Sequence, residues 1–506
     1  MSPTAIGIDL TGIQDSVIAL DGEGTPLNPS PKNTIPPVVI AGVKHFDQPL
    51  TGESALWAIE GRGWSWPEEA RPPQGEFCCR IPVLSMLNKL SLKKSSLHID
   101  GSGGDVQIPR LMGHHLKYLC DTAVSHSQPG NHRLLAATVP DDWDETTQSL
   151  MLDCLRETRL SDFDLIWRTV AMTLAWGELL DSESIKHMSG TALVVGFGPS
   201  TMEASILWLD SRESDAGHVL TPVRRQAGKT HTSGVAAFAQ QCAQDLARLH
   251  GSETLAWQTL WGSDYLWGKL LRHKPELKVF QDDKGEWLYV EEEYNLSKLD
   301  IWNILKGDLA ATFQMLDRSQ IVAADAIIAS SVLQSLCPIG LNLIDVFRAA
   351  FDELGYRPRC LRDNENTLSS SHFSVVNPSH GAAIYGWRRM RGLPTYYDFL
   401  PQIEINALTT NGTVFIPLVP RQDTIEGGTR FGPHEVEQKF KLPAGAEEIQ
   451  FFIAKENEEQ VRKTVTRFKS PPAKDTVVQL LVTQRPGQGH AKVEIIPIDK
   501  NTPLGQ

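Results

Sequence analysis

Residues 5–20 read AIGIDLTGIQDSVIAL, and residues 192–209 read ALVVGFGPSTMEASILWL. Each is an apolar run, a short polar turn and a second apolar run, which predicts a strand–turn–strand unit. The first turn falls at Thr11-Gly12 and the second at Gly198-Pro199-Ser200. Two matching units this far apart exceed any solenoid period and predict an internal duplication. Helical patterns follow each unit. In DETTQSLMLDCLRETRL (144–160), Leu150, Met151, Cys154 and Leu155 share a face, and Asp144 is a candidate N-cap. After the second unit come 234–249, the Trp-rich 253–273, 298–317 and 340–354. Strands alternating with helices in two halves predict an α/β architecture.

The pattern changes near Arg391-Gly392-Leu393-Pro394. From about 403 to 498 the chain shows short alternating runs: TVFIPLV (413–419), EVEQKFKL (435–442), EIQFFIA (448–454), TVVQLLVT (476–483) and KVEIIPI (492–498). Asn411-Gly412, Pro443-Ala444-Gly445 and Pro486-Gly487-Gln488-Gly489 supply turns between them. An all-β sandwich or partial barrel is expected here. The expected organisation is residues 1–390 in two lobes (1–187 and 188–390), a linker at 391–402, a β-domain at 403–499 and a tail at 500–506. No C-terminal helical domain is expected after it.

At 506 residues the chain is too long for one core. Its 41% hydrophobic and 22% charged residues are ordinary for a globular protein. A formal charge of -13 argues against nucleic acid as the main partner. Seven scattered cysteines without a Cys-x-x-Cys pair read as reduced thiols, not a zinc site or disulfide framework. No basic region leading into an apolar core opens the chain, and no apolar run approaches the ~20 residues of a membrane span. A cytoplasmic protein without a membrane partner is the expectation.

Two turns facing each other across a cleft can cradle a polyphosphate through consecutive backbone N–H groups. A carboxylate ending the first strand can hold magnesium through water. The opening IGIDLTGIQDSV resembles the first phosphate loop of the heat-shock protein 70 chaperones, which share the actin and sugar-kinase fold. Further stretches resemble that family in order: TVPDDWDETTQSLMLDCLRETRLSDFDLIWRTVAMTLAWG (138–177), LVVGFGPSTMEASIL (193–207), AGKTHTSG (227–234) and Asn377-Pro378 with Tyr385-Gly386. TYYDFLPQIEINALTTNGTVFIPLVPRQDTI (395–425) resembles the family's interdomain linker and first peptide-binding strands. The resemblance implies a duplicated actin-like (ribonuclease H-like) ATPase fold followed by an all-β sandwich of the peptide-binding type. It implies ATP or ADP with magnesium as cofactors. Asp9, Thr11, Gly12, Gly198, Ser200 and Thr201 would be the nucleotide-binding residues, with Asp9 on the metal side and Thr201 at the family's catalytic threonine. Pro140, Tyr396, Tyr397 and Asp398 match the interdomain coupling elements. The loops around Asn411, Gly412, Thr424, Gly427 and Gly428 are the expected peptide or partner surface.

The departures from the family are as informative. Its Gly-Thr-Thr is Thr11-Gly12-Ile13, and Asp9 reads either as a metal-side acid or as an acid ending a buried strand. The leading aspartate of the second loop is Gly196, and Pro199 removes a backbone donor from the phosphate nest. Asn-Glu-Pro is replaced by Trp167-Arg168-Thr169. Arg168 cannot act as a base; it reads as a phosphate partner or as a solvated or salt-bridged helix-start arginine. Ala329-Ser330 stands near the adenine-side glycines, Lys89 is a positional guess for a phosphate lysine, and Glu203 is a distant metal candidate. In the coupling elements Gln148 and Leu152 replace an arginine and a lysine, and Tyr396-Tyr397 replaces a leucine pair. His114-His115 and the run Glu291-Glu292-Glu293 read as packing or surface residues; Trp257, Trp261 and Trp267 read as core packing, with an aromatic partner-binding face as the alternative. The expected function is chaperone-like: binding a polypeptide client or a dedicated protein partner, with little or no ATP hydrolysis. A slow ATP-dependent chaperone and a structural scaffold subunit with an empty cleft are the alternatives.

Overall fold

Thr4–Asp9 (β1) and Ser16–Leu20 (β2) pair antiparallel, Ala5 opposite Leu20 and Asp9 opposite Ser16, and every residue of both strands is buried. The computed structural model describes residues 3–12, 15–27, 38–42, 45–51, 78–98, 105–124, 133–160, 162–215, 217–234, 237, 279–281, 287–289, 298–337, 341–361, 372–400, 402–409, 412–419, 424–454 and 462–499. The chain divides into two compact units: Met1–Pro222 with Gly228–Thr395, and Val223–Ala227 with Tyr396–Gln506.

In the first unit, β3 (Val38–Gly42), β4 (His45–Thr51) and β5 (Cys78–Pro82) form a small antiparallel sheet that runs directly into helix α1 (Val83–Ser91). A hairpin of β6 (Ser96–His98) and β7 (Asp105–Gln107) leads to α2 (Ile108–Val124). Then come β8 (Arg133–Val139), α3 (Glu145–Arg156), β9 (Asp162–Trp167) and α4 (Arg168–Gly177). The sheet order is β2-β1-β8-β9, with β8 and β9 parallel to β1. Asp144 caps α3, accepting from the Thr147 N–H at 2.9 Å, as its sequence position predicts.

After α5 (Ser182–Lys186), β10 (Gly190–Phe197) and β11 (Met202–Ser214) repeat the hairpin, followed by β12 (Gly217–Val223) and β13 (Lys229–His231). A short hairpin joins β14 (Val279–Gln281) to β15 (Trp287–Tyr289). Helices α6 (Lys298–Gln314) and α7 (Arg318–Ala323) precede β16 (Ala326–Ser330). The unit continues with α8 (Ser331–Leu336), α9 (Leu343–Leu354), β17 (Phe373–Val376) and α10 (Pro378–Arg391). Here β10 carries β16 and then β17, both parallel, giving the order β11-β10-β16-β17. The two halves therefore follow one plan: an antiparallel hairpin, then two parallel strands. Strands β10 and β16 are continuous apolar runs because helices cover the sheet. Phe313 of α6 stacks on Phe351 of α9 at 4.6 Å within that core. Leu84 of α1 joins the same apolar cluster as Phe197 and Met202, so a side chain from the first half fills space beside the second turn. Helix α10 is capped by Asn377, opens on Pro378, closes on Gly392 at φ 68° and carries Arg388, Arg389 and Arg391 in its last turn. These are the start and stop signals that complement the helix dipole.

The second unit is all β: β18 (Tyr397–Asp398), β19 (Gln402–Thr409), β20 (Gly412–Pro417), β21 (Ile425–Glu426), β22 (Phe431–Glu435), β23 (Phe440–Leu442), β24 (Glu448–Ala454), β25 (Arg462–Arg467), β26 (Thr476–Gln484) and β27 (Lys492–Pro497). One antiparallel sheet has the order β20-β19-β24-β25; in the other, β26 pairs with β22, β23 and β27. Ile403, Ile405 and Phe451 from the first sheet share an apolar cluster with Val478, Leu480, Val482 and Ile495 from the second. Strand β26 alternates buried and less buried residues along its length, the period of two that its sequence carries. The run 435–442 is not one strand: it breaks after Glu435, and Val436 turns into the core. Among the described residues no helix is long and apolar enough to cross a membrane.

Candidate functional site: two turns and a buried arginine

Asp9 ends β1, Arg168 begins α4 directly after β9, and Glu203 lies on β11. The Arg168 guanidinium joins them. Its Nε donates to Asp9 Oδ1 at 2.8 Å, its Nη1 to Glu203 Oε1 at 2.8 Å and its Nη2 to the Leu10 carbonyl at 3.2 Å. Arg168 is 1% exposed. The Thr138 hydroxyl also donates to Asp9 Oδ1. Glu203 Oε2 accepts the Asp141 N–H at 2.7 Å, and Asp141 Oδ2 accepts the hydroxyls of Thr169 and Ser205. Burial disfavours the charged guanidinium, but Asp9 and Glu203 outweigh it and hold Arg168 protonated, above its ordinary value. Burial pushes the Glu203 carboxyl up to about 8; Arg168 opposes the rise and the Asp141 carboxylate adds to it. Breaking such a pair by removing one partner is costly, because the other charge stays buried.

Two glycines make the room. Gly196 faces Glu203 across the β10–β11 hairpin, and a Cβ on Gly196 would lie 2.6 Å from Glu203 Oε1. A Cβ on Gly198 would lie 2.7 Å from Arg168 Nη1. Gly196 therefore leaves its volume to the acid on the neighbouring strand. The second turn closes on itself, Gly198 N–H donating to the Thr201 carbonyl at 2.8 Å, while Ser200 Oγ meets Ser91 Oγ at 3.0 Å.

The first turn is filled differently. The N–H groups of Thr11 and Gly12 both donate to Asp15 Oδ1 at 2.9 Å. Asp15 Oδ2 meets His115 Nε2 at 2.8 Å, and His115 Nδ1 meets Thr51 Oγ1 at 2.7 Å. Gly12 lies directly under α1, where a Cβ would come within 2.6 Å of Leu84.

No family model and no curated protein matches this chain.

Of the residues expected at a nucleotide site, Asp9 and Gly198 converge on Arg168, and Thr11 and Gly12 on Asp15. Asp9 Oδ2 and Thr201 Oγ1 are buried without a hydrogen-bond partner among the described residues. A divalent cation does not fit the donor set. The point where Asp9 and Glu203 converge is held by a guanidinium, and among the described residues no group of three or more His, Cys, Asp or Glu is arranged for a metal. Of the readings open for Arg168, the salt-bridged helix-start arginine is the one found, fully buried and paired with both Asp9 and Glu203. Glu203, read as a distant candidate, is Arg168's direct partner. Its signal was available in the hairpin: a turn at 198–201 puts residue 203 opposite residue 196. Asp15 and His115 carried no such signal. Ala329 and Ser330 are fully buried in β16, and Ser330 caps α8. Lys89 is half-buried on α1.

Pro140 is buried in the first unit, its ring near Gly198, with Gln148 donating to the Trp143 carbonyl at 2.8 Å. Tyr396, Tyr397 and Asp398 belong to the second unit. There Asp398 Oδ1 accepts from Arg224 Nη1 at 3.0 Å and from the Phe399 N–H at 3.0 Å, and the Arg224 guanidinium lies 4.9 Å from the Phe399 ring centre. Gly427 is buried beneath the Tyr396 ring, and the Gly428 carbonyl accepts from Arg485 at 2.7 Å. Both glycines are buried. Gly412 is exposed and Thr424 half-buried. Asn411, Trp257, Trp261, Trp267 and Glu291-Glu292-Glu293 lie outside the described residues.

Proposed function

We propose that this chain is a chaperone-like protein of the heat-shock protein 70 type, which binds a polypeptide client or a dedicated protein partner with little or no ATP hydrolysis. In this reading the first unit is a duplicated actin-like domain and the second a β-sandwich of the peptide-binding type. The common plan of β2-β1-β8-β9 and β11-β10-β16-β17 supports the first assignment. Two antiparallel sheets around one apolar cluster support the second.

The observation that carries the loss of hydrolysis is Arg168 between Asp9 and Glu203. Phosphoryl transfer to water needs an oriented nucleophile and cations on the phosphate oxygens. Here Asp9 and Glu203 are buried and already bonded to the protein's own cation. A permanently protonated guanidinium accepts no proton. Thr201 keeps its hydroxyl, but no base stands beside it among the described residues. The β-rich unit is then the working part, its contacts set by protein surfaces and not by a nucleotide cycle. Steady-state turnover and calorimetric titration with ATP, each with magnesium and with chelator, test this. Negligible turnover and no magnesium-dependent gain are expected. Turnover that Asp9→Asn abolishes would replace this reading with a slow ATP-dependent chaperone.

A further inference from the structure

Thr11 and Gly12 present consecutive backbone N–H groups, the arrangement by which turns bind anions. Both donate to one oxygen, Asp15 Oδ1. An aspartate in a turn commonly bonds to backbone nearby, and that alone accounts for Oδ1. Oδ2 is engaged by other means. His115 reaches it from α2, one hundred positions along the chain (|i−j|=100), and Thr51 on β4 holds the far side of the imidazole. The side chains of Asp15 and His115 are both fully shielded from solvent. Three separate segments thus combine to seat a carboxylate where the turn's donors call for an anion.

We propose that Asp15 is a built-in anion that blocks a phosphate-binding turn, and that the donors beneath it take the phosphate group of pyrophosphate or a nucleotide once the carboxylate is gone. A carboxylate tethered a few residues away competes at an effective concentration on the order of millimolar or more. An incoming phosphate would also meet its charge in a buried, weakly screened place. His115 and Thr51 are positioning residues that keep the carboxylate on the turn. The inference rests on the reading of this region as a nucleotide-type cleft, but its test is separate from ATP turnover.

Full-length wild type and Asp15→Ala are titrated calorimetrically with pyrophosphate and, in parallel, with ATP, both in chelator. Wild type should bind neither. Asp15→Ala should bind pyrophosphate with a gain of at least about tenfold, roughly 1.4 kcal/mol. Equal gains for both probes assign the phosphates alone, and a larger gain for ATP adds contacts to the nucleoside. A folded Asp15→Ala protein that binds neither probe better than wild type overturns the inference. Should that variant fail to fold, Asp15→Asn removes the charge and leaves only a neutral amide oxygen on the two N–H groups, which a multiply charged phosphate displaces. Pyrophosphate should then raise its Tm while leaving wild type unmoved, and the absence of that shift overturns the inference. Wild type that binds or hydrolyses ATP would instead sink the reading of a degenerate cleft, an outcome distinct from either variant result.

Discussion

The turn after β1 and the turn after β10 occupy matching places in two sheets of one plan, yet they are satisfied in opposite ways. The first holds an anion, the Asp15 carboxylate, on its backbone donors. The second closes through its own backbone and lies against a cation, the Arg168 guanidinium, with Pro199 contributing no N–H. A phosphate and a metal ion are the two charges that a nucleotide would bring. The chain supplies one of each sign itself. Under the proposed reading, each of those charges has a covalently attached counterpart of the same sign in this chain.

The strongest way to break this contrast is to remove the cation. Arg168→Ala should destabilise the protein by about 3–5 kcal/mol, the usual cost of leaving buried partners uncompensated, as read by urea unfolding. Arg168→Lys keeps the charge but not the fork geometry and should fall between. An unchanged midpoint for Arg168→Ala would mean that the cluster does not stabilise the fold.

Placing an acid at the second turn should cost somewhat less. Gly196→Asp forces a carboxylate toward Glu203, and about 2–3 kcal/mol of destabilisation is expected from the clash and the extra buried charge. Adding Glu203→Gly should recover part of it, with a coupling of about 0.5–3 kcal/mol in a double-mutant cycle. Simple additivity would separate the two residues and defeat the volume exchange inferred from their register.

Acidity gives a gentler test. Glu203 is raised from 4.5 in its ordinary state to about 8 in the fold. The folded state therefore holds the extra proton between those values, so this group's contribution is full below about pH 4.5 and is lost as pH rises through about 8. Unfolding midpoints should fall across that window in wild type and fall less in Glu203→Gln. A variant profile as steep as that of wild type would assign the slope to another group.

The smallest effect belongs to the hydroxyls. Thr201→Val replaces a buried Oγ1 without a hydrogen-bond partner and should be neutral or stabilising by up to about 1 kcal/mol. Thr138→Val removes a donor from Asp9 and should destabilise by about 1–2 kcal/mol. Equal effects in denaturant titrations would erase the distinction between an idle and an employed threonine.

Much of the scaffold was legible in residue patterns. The hairpins around Thr11-Gly12 and Gly198-Ser200 come from apolar runs broken by turn residues, and the cap at Asp144 from a short polar side chain before a periodic segment. Strand β25 was not read, because RKTVTR holds a single apolar residue, Val465, and offers no apolar face to count. The site was less legible. That Arg168 is buried depends on Asp9 and Glu203 arriving from strands 159 and 35 positions away, and local sequence says nothing about such meetings. Asp15 is harder still: its backbone contacts are local, but the histidine that distinguishes it from an ordinary turn aspartate comes from a helix one hundred positions away (|i−j|=100).

Val223–Ala227 belong with Tyr396–Gln506, and this has a consequence for how the protein is made and moved. Arg224 precedes its partner Asp398 by 174 positions. At synthesis rates of roughly 5–20 residues per second, Arg224 leaves the ribosome on the order of ten seconds or more before Asp398. The β-rich unit cannot complete this contact as a trailing module while earlier parts wait passively; it finishes only by drawing on a segment delivered long before. Nor can it be transplanted by one genetic cut. A fragment starting at Tyr396 would carry Asp398 without Arg224, so shuffling this unit between proteins requires that two separate stretches of gene travel together.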